Sequence, residues 1–158
     1  IGVIVGAFLF SKKHALNIFI ILDLVSLSAP FGIFFGRIAN FINSELYGRP
    51  TDMPWSVKFI LIDHISRHPS QLYEAFFEGI ILFLILGHFY KKDYLKKPGQ
   101  ISALFIIFYS LFRFIIEFFR MPDPQIGYLF LNFTLGQLIS IIFLIFGLAL
   151  FNYKKNDY

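Results

Sequence analysis

An all-α, polytopic transmembrane helix bundle is the fold class this sequence predicts, and three observations predict it. Hydrophobic residues make up 57% of the 158 positions and charged residues only 15%, far more apolar than a soluble domain. The apolar residues gather into runs long enough to cross a bilayer, separated by short polar connections. The cations are sorted between those connections by type, which is a topology signal and not a nucleic-acid-binding pattern.

Taken in order, residues 1–10 read as the end of a truncated first span. Four full spanning helices follow, over residues 15–42, 71–90, 100–119 and 134–152, each near the roughly 20 residues a membrane helix needs. With no internal repeat and no low-complexity linker, residues 1–158 are expected to form a single transmembrane domain. The chain opens on Ile1 inside an apolar segment, so it is expected to be a fragment lacking its N-terminal helices.

Eight of the nine lysines (Lys12, Lys13, Lys91, Lys92, Lys96, Lys97, Lys154 and Lys155) stand at one set of alternating helix ends, which the positive-inside rule makes cytoplasmic. All five arginines (Arg37, Arg49, Arg67, Arg113 and Arg120) fall at the other ends, with only Lys58 beside them. Orientation does not require that split, because either cation would satisfy it. Arginine is preferred where a planar, always-charged fork grips phosphate or carboxylate. The extracytoplasmic face therefore reads as a site for an anion, with an anionic lipid headgroup the natural occupant. For Arg49, Arg67 and Arg120 a second reading stands equally open: structural ion pairs with Glu45, Asp52, Asp63, Glu74 or Asp123. The chain has no cysteine, which excludes disulfides, a protein thiolate and cysteine-ligated metal. Any thiol chemistry must use a thiol supplied by the substrate.

Three constellations carry chemistry. The stretch from Gly36 to Thr51 begins in an apolar run and ends in a polar loop, and it holds Arg37, Asn40, Glu45 and Gly48. Arg37 and Asn40 are three apart and share a helix face, on a helix that Pro30 is expected to kink and that Gly32 and Gly36 are expected to bring close to a neighbour. An arginine snorkelling to the interface is the bland alternative, and Asn40 on the same face weighs against it. In the second, Tyr109, Arg113, Glu117 and Arg120 are spaced four, four and three, which places them on one helix face. Arg37, Arg113 and Arg120 outnumber Glu117, so an additional anion is expected there. In the third, His68 precedes a helix with Ser70 as its expected N-cap, and Gln71, Glu74 and Glu78 form a polar stripe on an otherwise apolar span. His68 could act as acid, base or headgroup donor, although a lone histidine is more often structural. Thr134, Gln137 and Ser140 read as a helix-packing stripe. Asp23 reads as a partner to a neighbouring helix.

Four blocks in order make the match specific: Gly36-Arg37 through Asn40-Phe41 with Asn43, Glu45 and Gly48; Arg67-His68-Pro69-Ser70-Gln71-Leu72-Tyr73-Glu74; Phe112-Arg113 to Glu117-Phe118-Phe119-Arg120 with Pro122-Asp123; and Gly136-Gln137. Together they resemble the bacterial prolipoprotein diacylglyceryl transferases, over essentially the whole chain. The resemblance implies a multi-pass enzyme of the bacterial inner membrane with its site toward the periplasm. It would transfer the diacylglyceryl group of phosphatidylglycerol to the lipobox cysteine of a preprolipoprotein, releasing glycerol-1-phosphate, with no metal or cofactor. Its partners would be that lipid, the signal peptide and the bilayer, and no nucleic acid. The catalytic residues implied are Arg37, Arg113, Glu117, Glu45, Tyr109 and His68, and the substrate-binding ones Arg37, Asn40, Gly48, Arg113 and Arg120. Family members carry a His-Gly-Gly element about where this sequence begins, with further helices and a tyrosine upstream, and that histidine is the family's favoured base. The rival from another class is a carrier or flippase for an anionic lipid or solute, which predicts inverted repeats and a site near the bilayer midplane. The topology gives a first test: Lys96→Gln, on the face opposite the arginines, leaves transferase turnover intact, and a large loss of turnover would invert the assigned sidedness.

Overall fold

Long runs of Ile, Leu and Phe in lipid can satisfy their backbone only within the segment, and so they fold as helices. The computed structural model describes residues 2–92, 97–122, 125–129 and 132–156. In it the apolar runs become α1 (Gly2–His14), α2 (Ile18–Ile42), α3 (Ser70–Lys91), α4 (Gln100–Ile116) and α5 (Leu135–Asn156). Of the residues singled out above, Lys96 and Asp123 lie outside the described residues.

The helical bundle matches expectation, with two adjustments. Among the described residues three helices are long and apolar enough to cross a membrane: α2, Ser70–Lys91 and Leu135–Tyr153, whereas α4 is apolar but has 17 residues. The span expected over residues 100–119 stops early because Glu117 caps α4 and the chain turns back through residues 117–119. The second adjustment is a two-residue antiparallel ribbon in the connection between α2 and α3. Its strands are β1 (Val57–Lys58) and β2 (Ser66–Arg67), with Val57 opposite Arg67 and Lys58 opposite Ser66.

Local chemistry explains the helix ends. The Asn17 side chain accepts from the Phe19 N–H at 2.9 Å, which caps α2, and α2 then runs through Pro30 to Ile42 without a break. Ser70 is not the N-cap of α3: Pro69 holds that position, and the Ser70 hydroxyl donates instead to the Leu46 carbonyl at 3.1 Å.

The interior divides into two layers. Toward the lysine-bearing ends, Leu82 and Leu86 of α3 pack with Ile101 and Leu104 of α4 as a dry apolar core. Close approach between helices is made by glycines other than the expected pair. A Cβ on Gly79 would stand 2.8 Å from the Phe34 Cβ, and one on Gly147 would stand 2.9 Å from the Ile107 Cγ1, so these two seat α3 on α2 and α5 on α4. At Gly32 and Gly36 no described atom lies within 4 Å of that position, so no described helix makes the close approach expected there.

Asp23 is the partner to another helix that the sequence suggests. It is fully buried in α2, and its carboxylate accepts from the Gly99 N–H at 2.7 Å, the Ser102 N–H at 2.7 Å and the Ser102 hydroxyl at 2.6 Å. Gly99 turns the chain into α4 at φ 97°, in the left-handed region open to glycine. The first N–H groups of α4 therefore meet a carboxylate borrowed from another helix, which also complements the positive end of the helix dipole. Asp23→Ala orphans these donors and is expected to lower unfolding stability in detergent by about 2–3 kcal/mol. Asp23→Asn, which keeps an acceptor, is expected to lose less; thermal unfolding of the two variants checks the order.

Candidate functional site

The other layer is a charge cluster at the arginine-bearing ends. α2 brings Arg37 from its last two turns, α3 brings Glu74 and Glu78, α4 brings Arg113 and its cap Glu117, and the turn after α4 brings Arg120. Glu74 is the hub. Its Oε2 stands 3.1 Å from Arg37 Nε, its Oε1 meets Arg113 Nη1 at short range, and the same Oε1 lies 3.6 Å from Arg120 Nη1. Glu78 lies 3.8 Å from Arg37 Nη2 and 3.7 Å from Arg113 Nη1, and Glu117 Oε2 is 3.1 Å from Arg113 Nη2.

The backbone of α3 prepares this meeting. Residues Ala75–Ile81 form a π-helical stretch, in which the hydrogen bonds run i→i+5 and the turn is wider than in an α-helix. Glu78 sits inside that stretch and Glu74 at its edge, so both carboxylates reach arginines on two different helices. Glu117 is fixed from the other side: Thr134 Oγ1 donates to its Oε1 at 3.0 Å, the Gln137 Oε1 accepts from the Thr134 N–H at 3.0 Å, and a Cβ on Gly136 would stand 2.8 Å from its carboxyl. Gly136 therefore has to be glycine for Glu117 to lie where it does. The stripe read as packing between helices holds a carboxylate as well.

Exposure orders the cluster. The side chains of Glu74 and Glu78 are 0% exposed, and those of Arg37, Arg113 and Arg120 keep 18%, 14% and 11%. The carboxylates form the buried floor, and the arginine side chains above them are the partly exposed members of the cluster.

A roof of connecting segments lies beside it. Gly48 pairs with Arg120 as a β-bridge, its N–H donates to the His68 carbonyl at 3.1 Å, and Arg49 N–H donates to the Phe119 carbonyl at 2.9 Å. A Cβ on Gly48 would collide with the His68 carbonyl and stand 2.8 Å from the Phe119 oxygen, so the three segments can close only over glycine. The turn that precedes it carries Ser44 and Leu46 at φ 58° and 55°, strained for residues with a Cβ. It is held down by α3: Gln71 Nε2 donates to the Glu45 carbonyl at 2.6 Å, beside the bond from Ser70 to Leu46.

The other residues expected at the site divide. Arg37, Arg113, Glu117 and Arg120 come together as the sequence predicts, but Arg120 arrives from the turn after α4 and not along the helix face, because α4 ends at Ile116. Tyr109 stays on α4 one turn before Arg113, stacked on Phe105 at 5.7 Å. Asn40 is half-buried, and among the described residues its side-chain amide makes no hydrogen bond. Glu45 is held by its backbone with its side chain exposed, and among the described residues its carboxylate makes no ion pair. His68 stands outside the cluster, with Nδ1 3.2 Å from the Tyr73 hydroxyl and its ring edge-on to Phe119 at 5.2 Å. It lines an apolar cavity of about 430 Å³ with Trp55, Tyr73, Phe77, Phe112 and Phe119. Burial there pushes the imidazole pKa below its ordinary value, which keeps the ring neutral to lower pH.

Two expectations change. Arg67 follows the ion-pair reading, with Nη2 2.6 Å from Asp63 Oδ2, and the pairing hydrogen bond holds the Asp63 pKa below its ordinary value. Arg49 donates from Nε to the Arg120 carbonyl at 2.9 Å and lies over the Tyr128 ring. More consequentially, the positive excess expected around Arg113 is absent: among the described residues three arginines meet three carboxylates. Glu74 and Glu78 were visible in sequence as two carboxylates on an apolar span, a pattern that asks for cationic partners. Their missing consequence was that the partners are the same arginines.

The family profile described as prolipoprotein diacylglyceryl transferase matches residues 1–153 of the 158. The chain belongs to this family. Among its curated relatives is the phosphatidylglycerol--prolipoprotein diacylglyceryl transferase of Rickettsia bellii, 53% identical over 151 residues, which cover 95% of this chain and 57% of that protein. Relatives of the same name from Rhodospirillum rubrum and Wolinella succinogenes are 49% and 46% identical over 153 residues, covering 96% and 97% of this chain and 56% and 54% of theirs. The chain thus spans a little over half the length of the transferases it matches.

Because Glu74 is the common counter-ion, Glu74→Gln removes the shared carboxylate from three arginines and is expected to destabilise the fold by about 3–5 kcal/mol. Unfolding in detergent checks this; a loss below 1 kcal/mol, the scale of an exposed pair, would show that the hub is solvated.

Proposed function

We propose that the full-length protein transfers the diacylglyceryl group of phosphatidylglycerol to the lipobox cysteine thiol of a preprolipoprotein; its relatives are named phosphatidylglycerol--prolipoprotein diacylglyceryl transferases. The observation that carries this reading is a set of three partly exposed arginine side chains held by fully buried carboxylates. A phosphodiester is a monoanion with oxygens spaced for bidentate contact, and arginine forks bind such groups better than lysine does. The lysine-bearing ends lie in the cytoplasm and the cluster faces the periplasm of a bacterial inner membrane, by the positive-inside rule.

In the reaction the substrate thiol gives up its proton and the sulfur attacks C3 of the diacylated glycerol. The new C–S bond forms as the C–O bond to phosphate breaks, and glycerol-1-phosphate departs with that electron pair. Charge therefore grows on the phosphate in the transition state. Arg37 and Arg113 hold the phosphate and stabilise that growth, which fixed donors do best. Arg120 extends the same face, and Asn40, whose amide is uncommitted within the described residues, donates to a glycerol or phosphate oxygen. Glu74, Glu78 and Glu117 fix the guanidinium planes, so little reorganisation is needed when the charge develops. Tyr109, one turn from Arg113, and His68, at the rim of the apolar cavity, are the described groups that could handle the thiol proton. Glu45 orients through its backbone, and Gly48 contributes by letting the roof close.

Mass spectrometry of a lipobox peptide incubated with phosphatidylglycerol and the full-length protein tests the proposal. A mass gain of one diacylglyceryl group, absent when the cysteine is serine, is the expected result; a folded, lipid-binding protein that modifies nothing would favour the carrier reading. Arg113→Gln is expected to cut modification by about 10²-fold or more with insertion retained, the scale of losing one transition-state donor. Near-normal turnover would remove Arg113 from the mechanism.

A further inference from the structure

The connection between α2 and α3 ends in a tip that neither the charge cluster nor the transferase reading uses. Ile60, Leu61 and Ile62 are 75%, 80% and 46% exposed, and Ile65 beside them is 48% exposed. Side chains like these are rarely displayed together to water. The tip is not a loose loop. Phe59 is buried and plugs it to the body, with its ring 5.8 Å from Phe41 and 6.0 Å from Tyr47. The Phe59 carbonyl accepts from the Ile62 and Asp63 N–H groups at 2.8 and 3.0 Å, and Asp63 accepts from the Ile65 N–H at 3.0 Å while bridging to Arg67. Three large aliphatic side chains are thus held outward on a preformed turn.

The plug fixes the depth. Phe41 is the penultimate residue of α2, a helix long and apolar enough to span a bilayer, and its neighbour Ile42 is 71% exposed. A residue packed on Phe41 lies at the level where α2 leaves the hydrocarbon, and the tip begins one residue later. The polar layer on each side of the hydrocarbon is about 5–8 Å thick, close to one helical turn. The tip, which begins one residue beyond Phe59, therefore starts within reach of the headgroup layer. Its charge pattern suits that layer, because Asp63 is neutralised by Arg67. Trp55 sits on the same connection, its ring exposed and its Nε1 donating to the Tyr73 hydroxyl at 2.7 Å, as amphipathic rings do at membrane interfaces.

We propose that Ile60, Leu61, Ile62 and Ile65 form a membrane-surface anchor, inserted among the headgroups and upper acyl carbons of the leaflet that adjoins the arginine cluster. β2 runs from this tip directly into Arg67 and His68, whose carbonyl receives the Gly48 N–H, so the anchor ties the roof of the cluster to the bilayer surface. The anchor rests on α2 being a membrane span and is independent of the chemistry performed beside it.

Spin labelling tests it. These 158 residues contain no cysteine, so Leu61→Cys gives one labelling site within them, at a side chain exposed enough for the change to leave the fold intact. Lys58→Cys, on the exposed side of β1, is the aqueous reference. In the full-length protein, with any cysteine outside these residues replaced, reconstituted into vesicles of phosphatidylglycerol and phosphatidylethanolamine, the label at position 61 is expected to collide more with oxygen than with an aqueous nickel chelate. Its oxygen-to-nickel ratio is expected to be several-fold above that at position 58. Nickel access equal to that at position 58 overturns the anchor, because the tip would then lie in water. Low access to both reagents overturns it equally, because a protein surface would then cover the tip. Each result is read without turnover, so failure of the transferase reading leaves this test standing.

Discussion

The arrangement depends on one buried carboxylate. Glu74 receives Arg37 from α2, Arg113 from α4 and Arg120 from the turn beyond α4, so a single side chain on α3 ties together the three segments around it. An isolated charge at that depth would be strongly disfavoured, and three isolated guanidinium groups more so. Bringing them together makes each tolerable only in the presence of the others. The register of α2, α3 and α4 at the arginine-bearing ends is therefore set by charge together with the close seating of Gly79 on Phe34. At the lysine-bearing ends Asp23 does similar work with neutral partners, fixing the start of α4 through backbone donors. Between these two anchors the apolar core of Leu82, Leu86, Ile101 and Leu104 needs only to fill space.

How far sequence could foresee this depends on the range of the interaction. Spans were legible because hydropathy is a property of a run, and α2, α3 and α5 appear close to where the runs place them. Arg113 with Glu117 was legible because an i, i+4 pair is fixed by helix geometry alone. The early end of α4 was not, since Phe118 and Phe119 continue the apolar pattern and only the bridge between Gly48 and Arg120 turns the chain back. Gly32 and Gly36 carried the spacing of a packing motif but find no described neighbour, whereas Gly79 and Gly147, with no such spacing, make the close contacts. The π-helical stretch left no trace in composition, although it contains Glu78, which joins the cluster beside Glu74. Pairings between helices depend on rotations that a one-dimensional pattern does not encode.

The balance of the cluster changes what an anion would meet there. An excess of arginines would be a site that waits for its ligand with unneutralised charge, which is difficult to hold in a low-dielectric layer. Three arginines with three carboxylates, among the described residues, form a resting site that is neutral as a whole, with the arginines as its partly exposed members. Attraction at the face then comes from the order of the layers and not from net charge.

That ordering also suits a reaction in which charge rises late. In the proposed reaction a phosphodiester would bring one negative charge to the face, and cleavage of its C–O bond would add to the charge on the departing phosphate. Guanidinium groups that were free to rotate would have to reorganise as that charge grew, and part of their stabilisation would be lost to the reorganisation. Arg37 and Arg113 are not free: Glu74 holds both, Glu117 holds Arg113 from the far side, and Thr134 with Gln137 and Gly136 holds Glu117. The carboxylates that appear to compete with an incoming phosphate are, on this account, what keeps the donors aimed at it. Their burial matters as much as their charge, because a floor open to water would screen the same field it helps to orient.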